Sequence, residues 1–483
     1  LLLSGYFGRD VVAFDNTFTN TYGNTVVNLR WNRIFSPKVF GNLSLIYSDY
    51  YYGLALDFVG FDWDSGIQNF NVKYDLSYNI SEKITLETGV QATYYSFNPG
   101  YIQPLTATSG FNTEQLQNKF AAEGSVYLSA KHDIAPKLAL HYGLRINQFN
   151  RLAQSGLLEY ANNQPLSYNP SLGIYQQGTA LGFYSKAESK QNYTNLEPRF
   201  TLAYRQERSA WKASYQRVNQ YLHLISNTTS PTPLDVWTPS GRYLKPQQSD
   251  QWALGYVTES ENGNSLEAEV FYKHTDNRYD YIDGAELVAN EAIEQILLPG
   301  TARAYGLELL FKKTQGKVTG MAGYTWSRAE QITPGQHPNE PGINQGDWYR
   351  SAYDKTHDLS LNLSYNHSKK WKWDANAILQ TGQPITYPLG QYEFMGTRVP
   401  SFGQRNGQRL PTYHRIDIAA TLTPAKQQDK KIKGSWVFGI YNIYNRRNAA
   451  TISFKQDPET GKNQAYKLSI FGIIPSVTYN IRF

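Results

Sequence analysis

The stretch VKYDLSYNISEKITLETGVQATYY (Val72–Tyr95) decides the fold. Val72, Tyr74, Leu76, Tyr78 and Ile80 fall on one side of a two-residue repeat, and Lys73, Asp75, Ser77 and Asn79 fall on the other. After a turn at Ser81–Lys83 the repeat resumes, with Ile84, Leu86, Val90, Ala92 and Tyr94 opposite Thr85, Glu87, Gln91 and Thr93. A strand sends successive side chains to opposite faces, so a period of two marks a hairpin with one apolar face. The same alternation recurs over Leu138–Asn147 and Leu359–Asn366.

Working outward, two features separate a transmembrane barrel from a β-sandwich. The alternating segments run to roughly 10–16 residues, against about 5–6 for ordinary strands and about 9–11 for a tilted membrane-spanning strand. The connections also alternate in length. Short turns at Ser36–Lys38, Ser81–Lys83, Ala135–Lys137, Glu261–Asn264 and Ser368–Lys370 are interleaved with long polar stretches such as Asn98–Gln115, Ala153–Tyr193, Asn227–Gln248, Thr333–Asp354 and Met395–Tyr413. Short turns at one rim and long loops at the other are the pattern of outer-membrane barrels. Counting about nine long loops and eight short turns gives roughly 18 antiparallel strands, an all-β transmembrane barrel with a lipid-facing apolar side and a polar lumen.

Composition agrees. The 483 residues include 38 Tyr, 22 Phe and 10 Trp but no Cys. Tyr and Trp suit a boundary where one end of a side chain is apolar and the other wet. A Tyr-rich secreted sandwich or solenoid is the competing reading of composition alone. The lack of Cys excludes disulfide scaffolds and thiolate chemistry. A net charge of +6, with Lys and Arg scattered along the chain, makes no case for nucleic acid. No run of about 18 apolar residues offers a membrane helix, so only a closed barrel would satisfy the backbone in lipid.

The ends are informative. LLLSGYFGRD (Leu1–Asp10) lacks the marks of a signal peptide and reads as a strand in progress, so the sequence is expected to begin inside a longer protein. The last strand places Val477, Tyr479, Ile481 and Phe483 on one face. An amphipathic strand ending on an aromatic resembles the signal read by the outer-membrane assembly machinery, which assigns Tyr479, Ile481 and Phe483 to membrane insertion.

Several stretches resemble the TonB-dependent receptor family in the form common in Bacteroidetes. They include SYQRVNQYLHLISNTT (Ser214–Thr229), PTPLDVWTPSGRYLKPQ (Pro231–Gln247), LLPGTARAYGLELLFKK (Leu297–Lys313), DWYRSAYDKTHDLSL (Asp347–Leu361), SWVFGIYNIYNRRNAATISF (Ser435–Phe454) and SVTYNIRF (Ser476–Phe483), in the family's order along residues 1–483. The resemblance implies a 22-stranded barrel around an N-terminal plug. About four first strands, the plug and the TonB-gripped box would then lie outside this sequence. It further implies active import across the outer membrane of a Gram-negative bacterium, with TonB engaged through that N-terminal region and lipid and lipopolysaccharide around the wall. A surface lipoprotein partner is compatible with the resemblance without being implied by it.

Residues that could carry chemistry are few. The eight His are dispersed and include no pair four residues apart on a helix, and no Gly-x-Ser-x-Gly elbow occurs, so the chain does not read as an enzyme. No cofactor is implied. Asp57, Asp62 and Asp64 could hold calcium in an outer loop, but their spacing does not match a dedicated calcium loop, and solvated charge is the better reading. Trp237, Arg242 and Tyr243 in one loop, and Trp348, Tyr349 and Arg350 in another, combine aromatics with cations. That combination suits a ligand with rings, sugars or acidic groups, and equally a girdle where loops leave the membrane. Trp371 and Trp373, beside a short turn, fit the girdle. Three functions remain open: an active transporter for cargo too large for porins (a metal chelate, a cobalamin-like molecule, an oligosaccharide or a peptide), a structural subunit that does not transport, and a passive porin-like channel.

Overall fold

A computed structural model describes the chain except residues 15–17, 57–59, 107–108, 111, 226–235, 286–289, 291, 425–431, 458 and 460. Among the described residues, eighteen long strands form the wall. They are β1 (Leu2–Phe14), β2 (Phe18–Ser36), β3 (Val39–Leu56), β4 (Phe61–Ser81), β5 (Ile84–Pro104) and β6 (Lys119–Ala135). Next come β7 (Leu138–Arg151), β8 (Gln191–Arg205), β9 (Ser209–Gln220), β10 (Gln247–Glu259), β11 (Asn264–Tyr281) and β12 (Leu297–Lys313). The last are β13 (Val318–Ile332), β14 (His357–Asn366), β15 (Trp371–Gln380), β16 (Tyr413–Leu422), β17 (Lys433–Tyr441) and β18 (Ile474–Arg482). Each pairs antiparallel with its neighbours in sequence, an up-and-down order throughout. β1 pairs with β2, β18 with β17, and no pairing joins β1 to β18 among the described residues.

The register carries the sequence alternation from strand to strand. Tyr74 lies opposite Val90, and Lys73 opposite Gln91. Leu128 faces Leu144, which faces Pro198. The apolar set is therefore continuous on the outward face, where Val72, Val90, Leu128, Leu144 and Leu254 are exposed. On that face an aromatic belt crosses five strands: Tyr215 to Trp252 at 5.4 Å, Trp252 to Tyr272 at 6.0 Å, Tyr272 to Tyr305 at 6.5 Å and Tyr305 to Trp326 at 6.2 Å between ring centres. Near the short-turn rim, Trp371 and Trp373 stack at 6.2 Å, with Trp373 opposite Tyr365. Inside, polar side chains pair across strands, as in Lys131 with Glu87 at 2.6 Å and Lys312 with Glu267 at 2.6 Å.

Two outer connections depart from the long loops expected at that rim. Only residues 15–17 separate β1 from β2, and only 57–60 separate β3 from β4. The length has gone into the strands. β3 to β5 have 18, 21 and 21 residues, which at ~3.3 Å per residue and a tilt near 45° stand about 40–50 Å tall, well above a ~25 Å apolar band. Toward the outer ends of these strands Leu54, Phe61, Trp63 and Ile102 are buried on the inward face, because here protein packs over the sheet instead of leaving it open to the lumen. Asp57 of the carboxylate group lies outside the described residues, and among those described no three His, Asp or Glu side chains converge as metal ligands.

The later outer connections fold back over the lumen. A hairpin of Leu222–Ile225 and Val236–Pro239 packs on inward residues of four wall strands, Ile67, Phe97, Ala121 and Phe149, with Phe149 stacked on Tyr221 at 4.7 Å. Cores of this kind inside the mouth make the loops a built vestibule.

A candidate ligand vestibule at the outer mouth

One loop cavity, about 690 Å³, lies between the paired strands Leu222–Ile225 and Val236–Pro239, the short helix Ile293–Ile296 and the loop that follows Arg151. Arg242 and Tyr243 line it; Trp237 sits beside it, half-buried against the aromatic core. The Arg242 guanidinium lies 4.2 Å over the Tyr184 ring and donates to the Glu188 carbonyl at 3.1 Å, which leaves its Nε buried without an acceptor. The Tyr243 hydroxyl donates to the Leu158 carbonyl at 3.1 Å, and its ring meets Tyr160 edge-on at 5.3 Å. Tyr160 in turn donates to Glu294 at 3.1 Å. Burial raises the Tyr243 phenol, so it stays a neutral donor. Lys119 and Arg151 add positive charge to the same lining. An aromatic and cationic pocket of this volume can hold a drug-sized polar or acidic molecule.

The hairpin that shapes it is pinned by a buried histidine. His223 is 1% exposed, its Nε2 2.9 Å from Ser240 Oγ and its Nδ1 3.2 Å from Gln247 Nε2. Burial, with the Arg278 charge adding, pushes it down to about 4.

A second cavity of about 720 Å³ is organised by Arg405. Arg405 donates to Asp280 at 2.7 Å and also binds Asp283, lying over the Tyr281 ring at 4.9 Å. Tyr349 is buried behind this network, where its hydroxyl donates to Asp280 at 2.5 Å and receives Gln331 at 2.9 Å. Trp348 points the other way, stacked 4.0 Å under the Arg303 guanidinium on the outward face. Arg350 pairs in the sheet with Glu330, and its carbonyl accepts from Asn406. The two sequence clusters therefore belong to different places: the first to one cavity, the second split between a supporting network and the flank. Asp280, Arg405, Arg151 and Glu294 escaped the sequence reading, since they come from strand ends, a short helix and a loop far apart in the chain and no local pattern joins them.

The wall and vestibule agree with what the chain matches. The family model "TonB dependent receptor-like, beta-barrel" covers residues 2–443. The chain belongs to the TonB-dependent receptor family. No curated protein matches it. Among solved structures it is similar to the ferric-catecholate import receptor Fiu of E. coli K12 in its closed form, with TM-score 0.61, 12% identity, and coverage of 96% of this chain and 64% of that one. The siderophore receptor PiuA of Acinetobacter baumannii gives 0.61, 13%, 96% and 65%, and the unliganded ferric citrate transporter FecA gives 0.58, 13%, 96% and 61%. This TonB-dependent receptor chain thus spans about two thirds or less of the length of those neighbours, and at such identities the likeness is one of fold. Members of the family are outer-membrane receptors and transporters rather than enzymes.

Proposed function

We propose that this chain is the wall of a TonB-dependent active transporter that imports cargo too large for porins across the outer membrane. The observation that carries the reading is the vestibule: loops that fold inward over the lumen and enclose aromatic, cationic cavities, on a wall whose family model runs through residues 2–443. A porin-like channel has no use for a mouth filled with its own core. In this reading β1 and β18 are bridged by further strands, about four if the barrel has 22. Unpaired edges in lipid would otherwise cost several kcal/mol per backbone group. A plug fills the lumen and passes the pull of TonB, while lipid and lipopolysaccharide surround the belt. Arg242 and Tyr243 meet the ligand in the first cavity, with Trp237 behind them, and Tyr349 holds Asp280 in the second. Trp348 and Arg350 serve the rim. Fiu is a ferric-catecholate import receptor, PiuA a siderophore receptor and FecA a ferric citrate transporter, which puts metal chelates first among the cargo classes to screen.

The test uses the full-length receptor in cells with and without TonB, offered ferric chelates, cobalamin, oligosaccharides and peptides. Uptake of one class that vanishes without TonB supports active import. Uptake indifferent to TonB, or steady conductance in planar bilayers, would establish a passive channel instead. Absence of any uptake alongside recovery in a stable outer-membrane complex would establish the structural role.

A further inference from the structure

We infer that the inner wall of β9–β13 carries an anion-binding groove, opening from the second loop cavity, that takes a carboxylate or phosphate group of the cargo; this rests on the transporter reading. Trp252 and Tyr272 face outward, so their strand neighbours Gln251, Lys273 and Thr275 face the lumen. Simple alternation would then turn Arg278 outward, beside His274 and Asp276. A β-bulge prevents it. The pairing steps from Asp276 with Thr301 to Arg278 with Gly300, leaving Asn277 as the extra residue at φ 56°, its amide donating to the Pro246 carbonyl at 2.8 Å. A bulge re-aims the side chains that follow it, and here it sets Arg278 on the same inward face as Lys273.

Both cations lack a hydrogen bond or ion pair among the described residues. The neighbouring cations do not: Arg217 binds Asp250 at 2.8 Å, Arg303 binds Glu330 at 2.8 Å, Lys312 binds Glu267, and Arg405 binds Asp280. Glu330, the one carboxylate residue among those that border the groove, turns its side chain to the outward face, where Arg303 and Arg328 hold it. Space exists as well. Ala302, Ala304 and Ala329 hollow the wall to a volume of about 410 Å³, and Arg278, Gln331, Ser351 and Tyr353 line both this groove and the second cavity. A planar guanidinium matches carboxylate or phosphate in two parallel hydrogen bonds, the ammonium adds a point charge, and amides such as Gln251 grip the polar body. Two unmatched charges in a hollowed polar groove select an anion.

The experiment titrates inorganic phosphate and, separately, citrate into detergent-purified full-length receptor by calorimetry, comparing the native protein with Arg278→Gln, Lys273→Gln, Ala304→Phe and, at a short turn remote from the groove, Lys83→Gln. Thermal melting confirms that each variant is folded. Each cation variant is expected to weaken binding at least tenfold. Ala304→Phe, which fills the groove at unchanged charge, abolishes it, and Lys83→Gln leaves it as it was. A preference for phosphate or for citrate names the group. Equal binding in native protein, Arg278→Gln and Ala304→Phe would overturn the groove, as would melting shifts in the cation variants with binding intact, since the two cations would then only brace the fold. Binding needs neither TonB nor a gradient. Anion binding without uptake would therefore sink the transporter reading alone, and uptake without anion binding would sink the groove alone.

Discussion

Arginine at Leu361 and arginine at Asn362 should have opposite fates. Leu361 lies on the outward face between Ala322 and Ala377; Asn362 lies on the inward face between Met321 and Asn376. The chain turns at residues 367–370, six positions beyond Leu361. At ~3.3 Å per residue that is about 20 Å along the strand, and at a tilt near 45° about 14 Å of height, close to the middle of a ~25 Å apolar band. A cation at that depth on the lipid face costs about 2–4 kcal/mol, whereas the lumen face keeps it in water. The Leu361→Arg variant should therefore lose about 30- to 700-fold in its folded-to-unfolded ratio. Asn362→Arg should stay close to the parent. Urea titration of the full-length receptor in lipid vesicles, followed by Trp fluorescence, reads both. Similar losses at the two positions would refute the assignment of faces, since no register of a period-two strand puts adjacent residues on one side.

The remaining predictions concern the vestibule and the chain end. His223 is held neutral by burial, with its value depressed to about 4 from an ordinary 6.5. The unfolded segment binds the proton more readily, so the stability of the paired strands Leu222–Ile225 and Val236–Pro239 is complete above pH 6.5 and falls as the pH drops toward 4, by up to about 3 kcal/mol; hydrogen exchange of those two strands, corrected for intrinsic rates, should accelerate in this window, and pH-independent protection would contradict it. Asp354 is 1% exposed on its side chain and accepts from Arg409 and from the Ala329 amide at 2.8 Å. Asp354→Ala strands the Arg409 cation and should cost about 3–5 kcal/mol locally, seen as new protease nicks in the 333–356 connection with the wall intact. Phe483 is 98% exposed and packs on little, so Phe483→Ala should leave the melting temperature of purified protein unchanged while lowering the amount assembled in the membrane; a lowered melting temperature at normal yield would make it a packing residue.

The wall was legible because lipid imposes one rule on every strand. Each of the eighteen strands had to alternate, and each short turn had to return the chain, so the facing of Val72 or Leu359 followed from period two and the count from the alternating connections. The rule lapses where lipid ends. The tall ends of β3 to β5 keep alternating after the membrane requirement is gone, which is why the connections at 15–17 and 57–60 did not announce themselves as short. Paired strands inside the loops, such as Leu222–Ile225 with Val236–Pro239, bury apolar residues against inward wall positions that look like ordinary lumen sites in the sequence.

The candidate site was hidden for a sharper reason. Aromatics beside cations marked both loop clusters, yet composition could not say that Tyr349 would be buried behind Asp280 while Trp348, its neighbour in sequence, stacks on Arg303 outside the wall. Arg278 shows the limit more clearly. Read by parity from Tyr272 it belongs to the outward face, and only the extra residue Asn277 reverses it. Asn is among the residues that most readily take a positive φ, but the sequence holds many Asn, and nothing local distinguishes the one that shifts a register. A single inserted residue thus moves one charge from the lipid side to the lumen while leaving the composition, the strand and its turn unchanged. Positions just beyond a bulge are where period-two reasoning inverts its own conclusion, and in this wall such a position carries Arg278, one of the two groove cations without a partner among the described residues.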